Sequence, residues 1–181
     1  METERQLLDA IHRGERAALR RLYDRYSRYA MAIGLRYVSD CDKVRDVLQD
    51  SFVKILTNID HFDYRGEGSL KSWVARVVVN RSIDYLNSHE HLQFTDEIPD
   101  STDDEEPDVG GVPPDVLDGM IGQLPASYRV VLNLFVFEQL SHKEIAQRLG
   151  INERTSAVIF FRAKKKLQKS IRDCINKQQR I

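Results

Sequence analysis

The chain has 181 residues, of which 41% are hydrophobic and 30% are charged, a balance typical of one or two small folded domains. It has no apolar stretch of the roughly 18 residues that a membrane span needs and no secretory signal at its start, so a cytoplasmic protein is expected. Cys41 and Cys174 lack disulfide or zinc-ligand spacing and are expected to be reduced thiols.

The net charge of −1 conceals a strong segregation of charge along the chain. Residues 1–91 carry 15 Lys/Arg and 14 Asp/Glu, and residues 92–119 carry 10 acidic residues and no basic one. Residues 120–181 carry 12 basic and 4 acidic residues. The basic end suggests contact with nucleic acid, although an ordinary solvated helix explains it about equally well.

Apolar residues recur at three- and four-residue steps through the first half of the chain. The pattern predicts helices over about residues 3–12, 15–37, 42–58 and 69–88. Between the last two helices lies a polar and aromatic loop, residues 60–68. Gly66 and Gly68 in this loop permit tight backbone turns.

Residues 92–119 contain four of the five prolines and only acidic charge. Low hydrophobicity and like charge predict an extended, flexible linker. The second domain is expected to cover residues 120–181. Helices are expected near 115–123, across the start of this domain, and near 126–138, within it. The sequence thus predicts an all-α protein with two small helical domains joined by an acidic flexible linker.

The second domain contains the pattern of a helix-turn-helix. Ser141 and Glu144 have the spacing of a capping box, Gly150 is placed to end that helix, and Asn152 can cap the next one. In the second helix a stripe at helical spacing is expected to face the core. Its members are Ser156, Phe160, Ala163 and Leu167.

Segments of both halves resemble bacterial sigma factors of the extracytoplasmic-function (ECF) class. Residues 46–54 and 68–86 resemble sigma region two, and residues 124–129 with 141–151 resemble region four. Two motifs in the right order are more specific than a lone helix-turn-helix. The resemblance implies a non-catalytic subunit that binds core RNA polymerase, at the β′ clamp and β flap, and opens promoter DNA.

The resemblance also implies a polymerase-binding face on the helix over 42–58. In the family this helix binds the clamp of the largest subunit. The contacts carried over to this chain are Asp46, Gln49, Asp50 and Lys54. From the residues alone, an ordinary solvated helix face would be the simpler interpretation.

The helix over 69–88 and its preceding loop correspond to the family's part that opens DNA at the minus-ten element. A melted strand needs cations for phosphates, flat rings for unstacked bases and an amide for a base edge. The implied contacts are Tyr64, Arg65, Lys71, Trp73, Arg76, Asn80 and Arg81. Trp73 is about equally suited to be a core anchor, and Asn80 to make a buried hydrogen bond.

The helix after Asn152 departs from the family. Region four usually reads the minus-thirty-five element through polar residues, whereas the matching positions here are Ala157, Val158, Ile159 and Phe161. Apolar side chains cannot read most base edges. Phosphate contacts, which carry no sequence information, are still expected from Lys143, Arg154, Thr155, Arg162, Lys164, Lys165 and Lys166.

We therefore expect Val158, Ile159 and Phe161 to dock on a protein partner. That partner is either an anti-sigma factor or a DNA-targeting activator, and the residues do not choose between them. The alternative is that the helix is rotated and these side chains join the core.

A different function class also fits the chain: a free-standing helix-turn-helix regulator whose front half senses a signal or dimerises. An enzyme is disfavoured because the chain has no phosphate-cradling loop and its five histidines lack metal-ligand spacing. His89 and His91 form the nearest candidate pair, which more often is a solvated helix end. No cofactor is expected.

Overall fold

The computed structural model describes residues 2–94 and 112–178, with side chains described up to Asn176. The middle of the predicted acidic linker, residues 95–111, lies outside the described residues. The chain divides into two compact units, Met1–His89 and Glu90–Ile181. The described residues contain α-helices and no strand, which confirms the predicted all-α class. None of the helices in these described ranges has an apolar run of the length that a bilayer span requires.

The first unit contains four α-helices and one short 3₁₀ turn. They are α1 (Glu4–His12), α2 (Arg16–Tyr37), α3 (Cys41–Asn58), the turn Ile59–His61 and α4 (Ser69–Glu90). Local capping sets two of the starts: Thr3 forms a capping box with Gln6, and the Asp40 carboxylate accepts from the amides of Asp42 and Lys43. All four predicted helices are confirmed within two residues at each end.

The core of the first unit is formed by apolar residues from all four helices. The largest fully buried ones include Leu7, Leu22, Ile55, Leu70 and Leu86. Helices α2 and α3 pack closely, because a Cβ at Gly34 would lie 2.8 Å from Val44 Cγ1. This packing leaves the opposite face of α3 open to solvent.

The second unit contains α5 (Pro114–Gly122), α6 (Ala126–Val136), α7 (His142–Leu149) and α8 (Glu153–Gln178). Ser141 and Glu144 form the predicted capping box, and Gly150 ends α7 with a φ of 67°. The Thr155 amide donates to Asn152 Oδ1 at 2.7 Å. The predicted helix-turn-helix and the predicted helix near 115–123 are therefore confirmed, and residues 114–119, which the predicted linker bounds also included, belong to α5.

Helix α8 lies at the centre of the second unit and packs against α5, α6 and α7. Its core contains Leu134, Ile145, Ile159 and Ala163, each 1% exposed or less. A buried arginine joins α5 to α6: Arg129 Nη1 donates to the Gly122 and Leu124 carbonyls at 2.7 and 3.0 Å. A charged side chain thereby satisfies carbonyls left free at a helix end.

Candidate nucleic-acid and polymerase interfaces

A pocket of about 330 Å³ lies where the loop after α3 meets the first turns of α4. Phe62 and Trp73 line it, with ring centroids 5.1 Å apart and ring planes tilted by 38°. Both are only partly buried, so aromatic surface remains open to solvent. The complete lining is His61, Phe62, Asp63, Arg65, Ser69, Ser72, Trp73 and Arg76.

Cationic side chains surround this aromatic surface. Arg65 and Arg76 are both exposed, and Arg65 Nε donates to the Asp63 carboxylate at 3.0 Å. An ion pair between two side chains this exposed is weak, so Arg65 remains available to another anion. Cations beside flat apolar surface are what an unstacked, single-stranded nucleic acid requires.

The loop that carries the pocket depends on its two glycines. Gly66 and Gly68 have φ values of 124° and 90°, which other residues rarely adopt. Ser69 Oγ donates to the Gly66 carbonyl at 2.6 Å and Ser72 Oγ donates to the Gly68 carbonyl at 2.9 Å. The predicted tight turns are therefore confirmed, and they connect the loop to two pocket-lining serines.

The seven predicted minus-ten residues divide into two groups. Three line the pocket: Arg65, Trp73 and Arg76. The other four lie elsewhere on the unit: Tyr64, Lys71, Asn80 and Arg81. Lys71 Nζ lies 4.6 Å from the centroid of the Tyr29 ring on α2, and the Tyr64 hydroxyl donates to the Glu67 carboxylate at 3.4 Å.

Two aromatic pocket residues, His61 and Phe62, could not be distinguished by sequence from the rest of the loop over 60–68. Their positions, two aromatic rings close before a glycine pair, were the available signal. Glu4, which contacts the start of α4, could not be found from local pattern because 64 or more residues separate it from Gly68 and the residues that follow.

The four predicted polymerase contacts all lie on the solvent-exposed face of α3. Asp46, Gln49, Asp50 and Lys54 are exposed. Val53 lies among them with 58% of its surface accessible. The face therefore combines charge with an open apolar side chain, a mixture typical of protein interfaces.

An exposed aromatic residue of α2 packs against α3. Tyr23 is exposed, and its ring centroid lies 4.7 Å from that of Phe52 on α3. Neither Tyr23 nor Val53 was predicted to be exposed, because an apolar residue on an amphipathic helix usually faces the core.

The structure corrects part of the predicted partner surface on α8. Ile159 is only 1% exposed and belongs to the core, so its assignment to a partner surface is wrong. Phe161 is 38% exposed, and Val158 is partly buried. The physical reason is that α8 packs against three helices, so its buried stripe is wider than one row of residues.

The predicted phosphate contacts in the second unit also differ in exposure. Lys143, Arg154, Lys164 and Lys166 are exposed, whereas Arg162 and Lys165 are partly buried. Thr155 is 3% exposed, so the prediction that its side chain contacts phosphate is wrong. Lys165 Nζ lies 5.2 Å from the Phe161 ring centroid, which places a cation next to the exposed ring.

A histidine helps to join α7 to α6 and α8. His142 stacks on Phe135 with centroids 4.8 Å apart, and its Nδ1 lies 3.0 Å from Ser156 Oγ. Burial lowers the pKa of His142, with Glu153 acting in the opposite direction. The neutral ring is therefore favoured in the folded protein.

Two family models match this chain. Residues 22–91 match the family model of sigma-70 region 2, and residues 115–167 match that of sigma-70 region 4. The chain belongs to the sigma-70 family of RNA polymerase sigma factors, within the ECF class. The class predicted from the two sequence motifs is therefore confirmed.

Relatives match over almost the whole chain. The ECF RNA polymerase sigma-E factor of Haemophilus influenzae is 28% identical, over 93% of this chain and 95% of that protein. The RNA polymerase sigma-H factor of Pseudomonas aeruginosa is 25% identical, over 94% of each. A chain in a structure of the RsbN–BldN complex is 21% identical, with a TM-score of 0.40, over 90% of this chain and 97% of that one.

Proposed function

We propose that this sigma factor opens promoter DNA by capturing an unstacked base of the minus-ten element in the Phe62–Trp73 pocket. The observation that carries the proposal is the pairing of open aromatic surface with two exposed arginines in one small cavity. A volume of about 330 Å³ lies at the lower end of the range for small-ligand pockets, roughly 300–1,000 Å³. Arg65 and Arg76 would hold the adjoining phosphates.

Stacking is the dominant part of this proposed interaction. A base stacked on an aromatic side chain contributes about 1–3 kcal/mol, whereas an exposed ion pair contributes roughly 0–1 kcal/mol. Trp73 and Phe62 should therefore determine affinity more than either arginine does. Asn80 and Arg81, further along α4, would contact the strand outside the pocket.

The exposed face of α3 is the proposed site for the β′ clamp of core polymerase. Asp46, Gln49, Asp50 and Lys54 form its polar part, and Val53 is the exposed apolar side chain among them. Interfaces concentrate their binding energy in a few buried side chains surrounded by a polar rim. Val53 is the side chain on this face best suited to that role.

The second unit is proposed to contact DNA phosphates and a protein partner. The exposed cations Lys143, Arg154, Lys164 and Lys166 supply the charge for phosphates. Phe161, with Val158 beside it, supplies the apolar contact, and either an anti-sigma factor or a DNA-targeting activator would cover it. Full burial of a phenylalanine side chain contributes about 1.5–3 kcal/mol. Because Phe161 is 38% exposed, part of this free energy would be released only when a partner covers the ring.

Transcription with purified core polymerase tests the proposed promoter opening. We expect the chain to support transcripts from a template library with a randomised minus-ten region, and to show a base preference there. Trp73→Ala should lower transcription about tenfold, as the loss of one stacking contact predicts. Tyr85→Ala is the matched control, since Tyr85 lies on α4 outside the pocket, stacked on His89.

Two results would contradict the proposal. One is equal loss of transcription from Trp73→Ala and Tyr85→Ala. The other is that the chain binds promoter duplex tightly without polymerase, and that core polymerase produces the same transcripts with and without the chain. That is the behaviour of a free-standing regulator.

A further inference from the structure

Glu4, in the first turn of α1, is a buried carboxylate that lies more than 50 residues before the pocket residues in the sequence. It is 2% exposed and lies outside the segment that matches sigma region 2. Its two oxygens accept four hydrogen bonds of 2.8–3.1 Å. The donors are the Tyr26 hydroxyl and the backbone amides of Gly68, Leu70 and Lys71.

A second carboxylate completes an exchange between two helix starts. The Glu4 amide donates to both oxygens of Glu67, at 3.1 and 3.2 Å. Glu67 also lies 3.5 Å from Arg25 Nη2 and accepts from the Tyr64 hydroxyl at 3.4 Å. Glu4 on α1 thus occupies the start of α4, and Glu67, in the turn before α4, occupies the start of α1. At both places unpaired amides and the helix dipole favour negative charge.

This exchange acts directly on the backbone of the pocket loop. Gly66 and Gly68 give the loop a turn with two positive φ values, and glycines by themselves permit many other conformations. The Gly68 amide is held by Glu4, while the Gly68 carbonyl accepts from Ser72, which lines the pocket. The chain of contacts therefore runs from α1 to the pocket wall in two hydrogen bonds.

We propose that Glu4 is a positioning residue for minus-ten recognition, through which α1 holds the Gly66–Gly68 turn in its base-reading conformation. Glu4 lines no part of the pocket and would not touch DNA. The inference rests on the proposed function of that pocket. It assigns a role in promoter reading to a helix outside the region 2 match.

The test is the minus-ten preference of holoenzyme assembled with full-length Glu4→Gln. The amide turns one acceptor into a donor that faces backbone N–H groups, so the turn loses its fixed conformation. On the randomised library, we expect the ratio of preferred to disfavoured bases to fall about fivefold or more, with core polymerase affinity within about twofold. Asp9→Asn, an exposed change on the same helix, is the matched control and should leave both unchanged.

This readout separates positioning from general destabilisation. A variant that merely lowered the folded fraction would reduce transcripts from every template by one factor and leave the preference ratio intact, and that result would overturn the inference. Tyr26→Phe removes a single donor to Glu4 and should lower the ratio less, in the same direction. If Glu4→Gln fails to fold, an unchanged ratio in Tyr26→Phe overturns the inference.

The same library distinguishes failure of this inference from failure of the proposed function. If Trp73→Ala loses the minus-ten preference and Glu4→Gln keeps it, the pocket still reads the minus-ten base, but α1 does not position it. If the unmodified chain shows no minus-ten preference, both the proposed function and the proposed role of Glu4 are contradicted.

Discussion

The two units differ in how they present the residues expected to meet a partner. In the first unit, Arg65, Trp73 and Arg76 gather around one open pocket at the start of α4. In the second, Ile159 is buried and Phe161 remains exposed two positions later on α8. The number of packing neighbours explains the contrast, because α8 is surrounded by α5, α6 and α7. An apolar run on such a helix therefore divides between core and surface.

The sharpest way to break this comparison is to truncate the two α8 side chains separately. Ile159→Ala should lower the free energy of unfolding by about 2–5 kcal/mol, because it leaves a cavity in a closed core. Phe161→Ala should lower it by less than about 1 kcal/mol, as expected of an exposed side chain. Urea denaturation followed by circular dichroism measures both. Equal losses would mean that Phe161 also belongs to the core.

Truncation of Val53, the exposed apolar residue on α3, should affect polymerase binding rather than stability. Val53→Ala should weaken core polymerase binding roughly fivefold to tenfold, since about 1–1.5 kcal/mol of apolar contact is removed at the proposed clamp site. Lys43→Ala, also exposed on α3, is the control. Fluorescence anisotropy of labelled protein titrated with core polymerase gives the dissociation constants of both variants. An unchanged dissociation constant for Val53→Ala would mean that this face of α3 does not bind core polymerase.

The charge around the pocket offers a finer test. Arg76→Ala should reduce the salt dependence of promoter opening, lowering the slope of log K against log salt by about 0.7, the value for one single-strand phosphate contact. Lys166→Ala in the second unit should lower the slope by about 0.9, the value for duplex DNA. Permanganate footprinting of open complexes over a salt series supplies the slopes. An unchanged slope in Arg76→Ala would show that this arginine holds no phosphate.

The smallest expected effect is the pH dependence of the Glu4 contact. Burial acts to raise the pKa of the Glu4 carboxyl, but its hydrogen bonds from Tyr26, Leu70, Lys71 and Gly68 outweigh burial, so the pKa lies below the ordinary 4.5. A lowered folded-state pKa means that the carboxylate stabilises the fold above pH 4.5 and stops doing so as pH falls through the folded value. The stability difference between the unmodified chain and Glu4→Gln should therefore shrink in that acidic range.

Denaturation curves at neutral and acidic pH measure this difference. Asp9→Asn provides the baseline, because Asp9 is exposed on the same helix and removal of its charge leaves the Glu4 contacts in place. A difference that stayed constant with pH would mean that the charge on Glu4 contributes nothing to the contact.

Much of the fold follows from local pattern. Helix periodicity, the Ser141–Glu144 capping box, the Gly150 helix end and the Asn152 cap were all predictable. Each depends on partners no more than four residues away, so the residues themselves carry the information. The two sigma motifs likewise determine the protein class, because each is a short run of residues along the chain.

The pocket and the division of α8 depended on tertiary packing. The aromatic pair joins Phe62 to Trp73 across a loop whose path depends on Gly66 and Gly68, and Glu4 reaches that loop across more than 60 residues. Burial of Ile159 required three helices to meet around α8. The sequence by itself determined where helices begin, where they end and which family they build, because those interactions are local. Only the tertiary structure decided which side chains on those helices remain open to a partner, because exposure depends on neighbours distant in the chain.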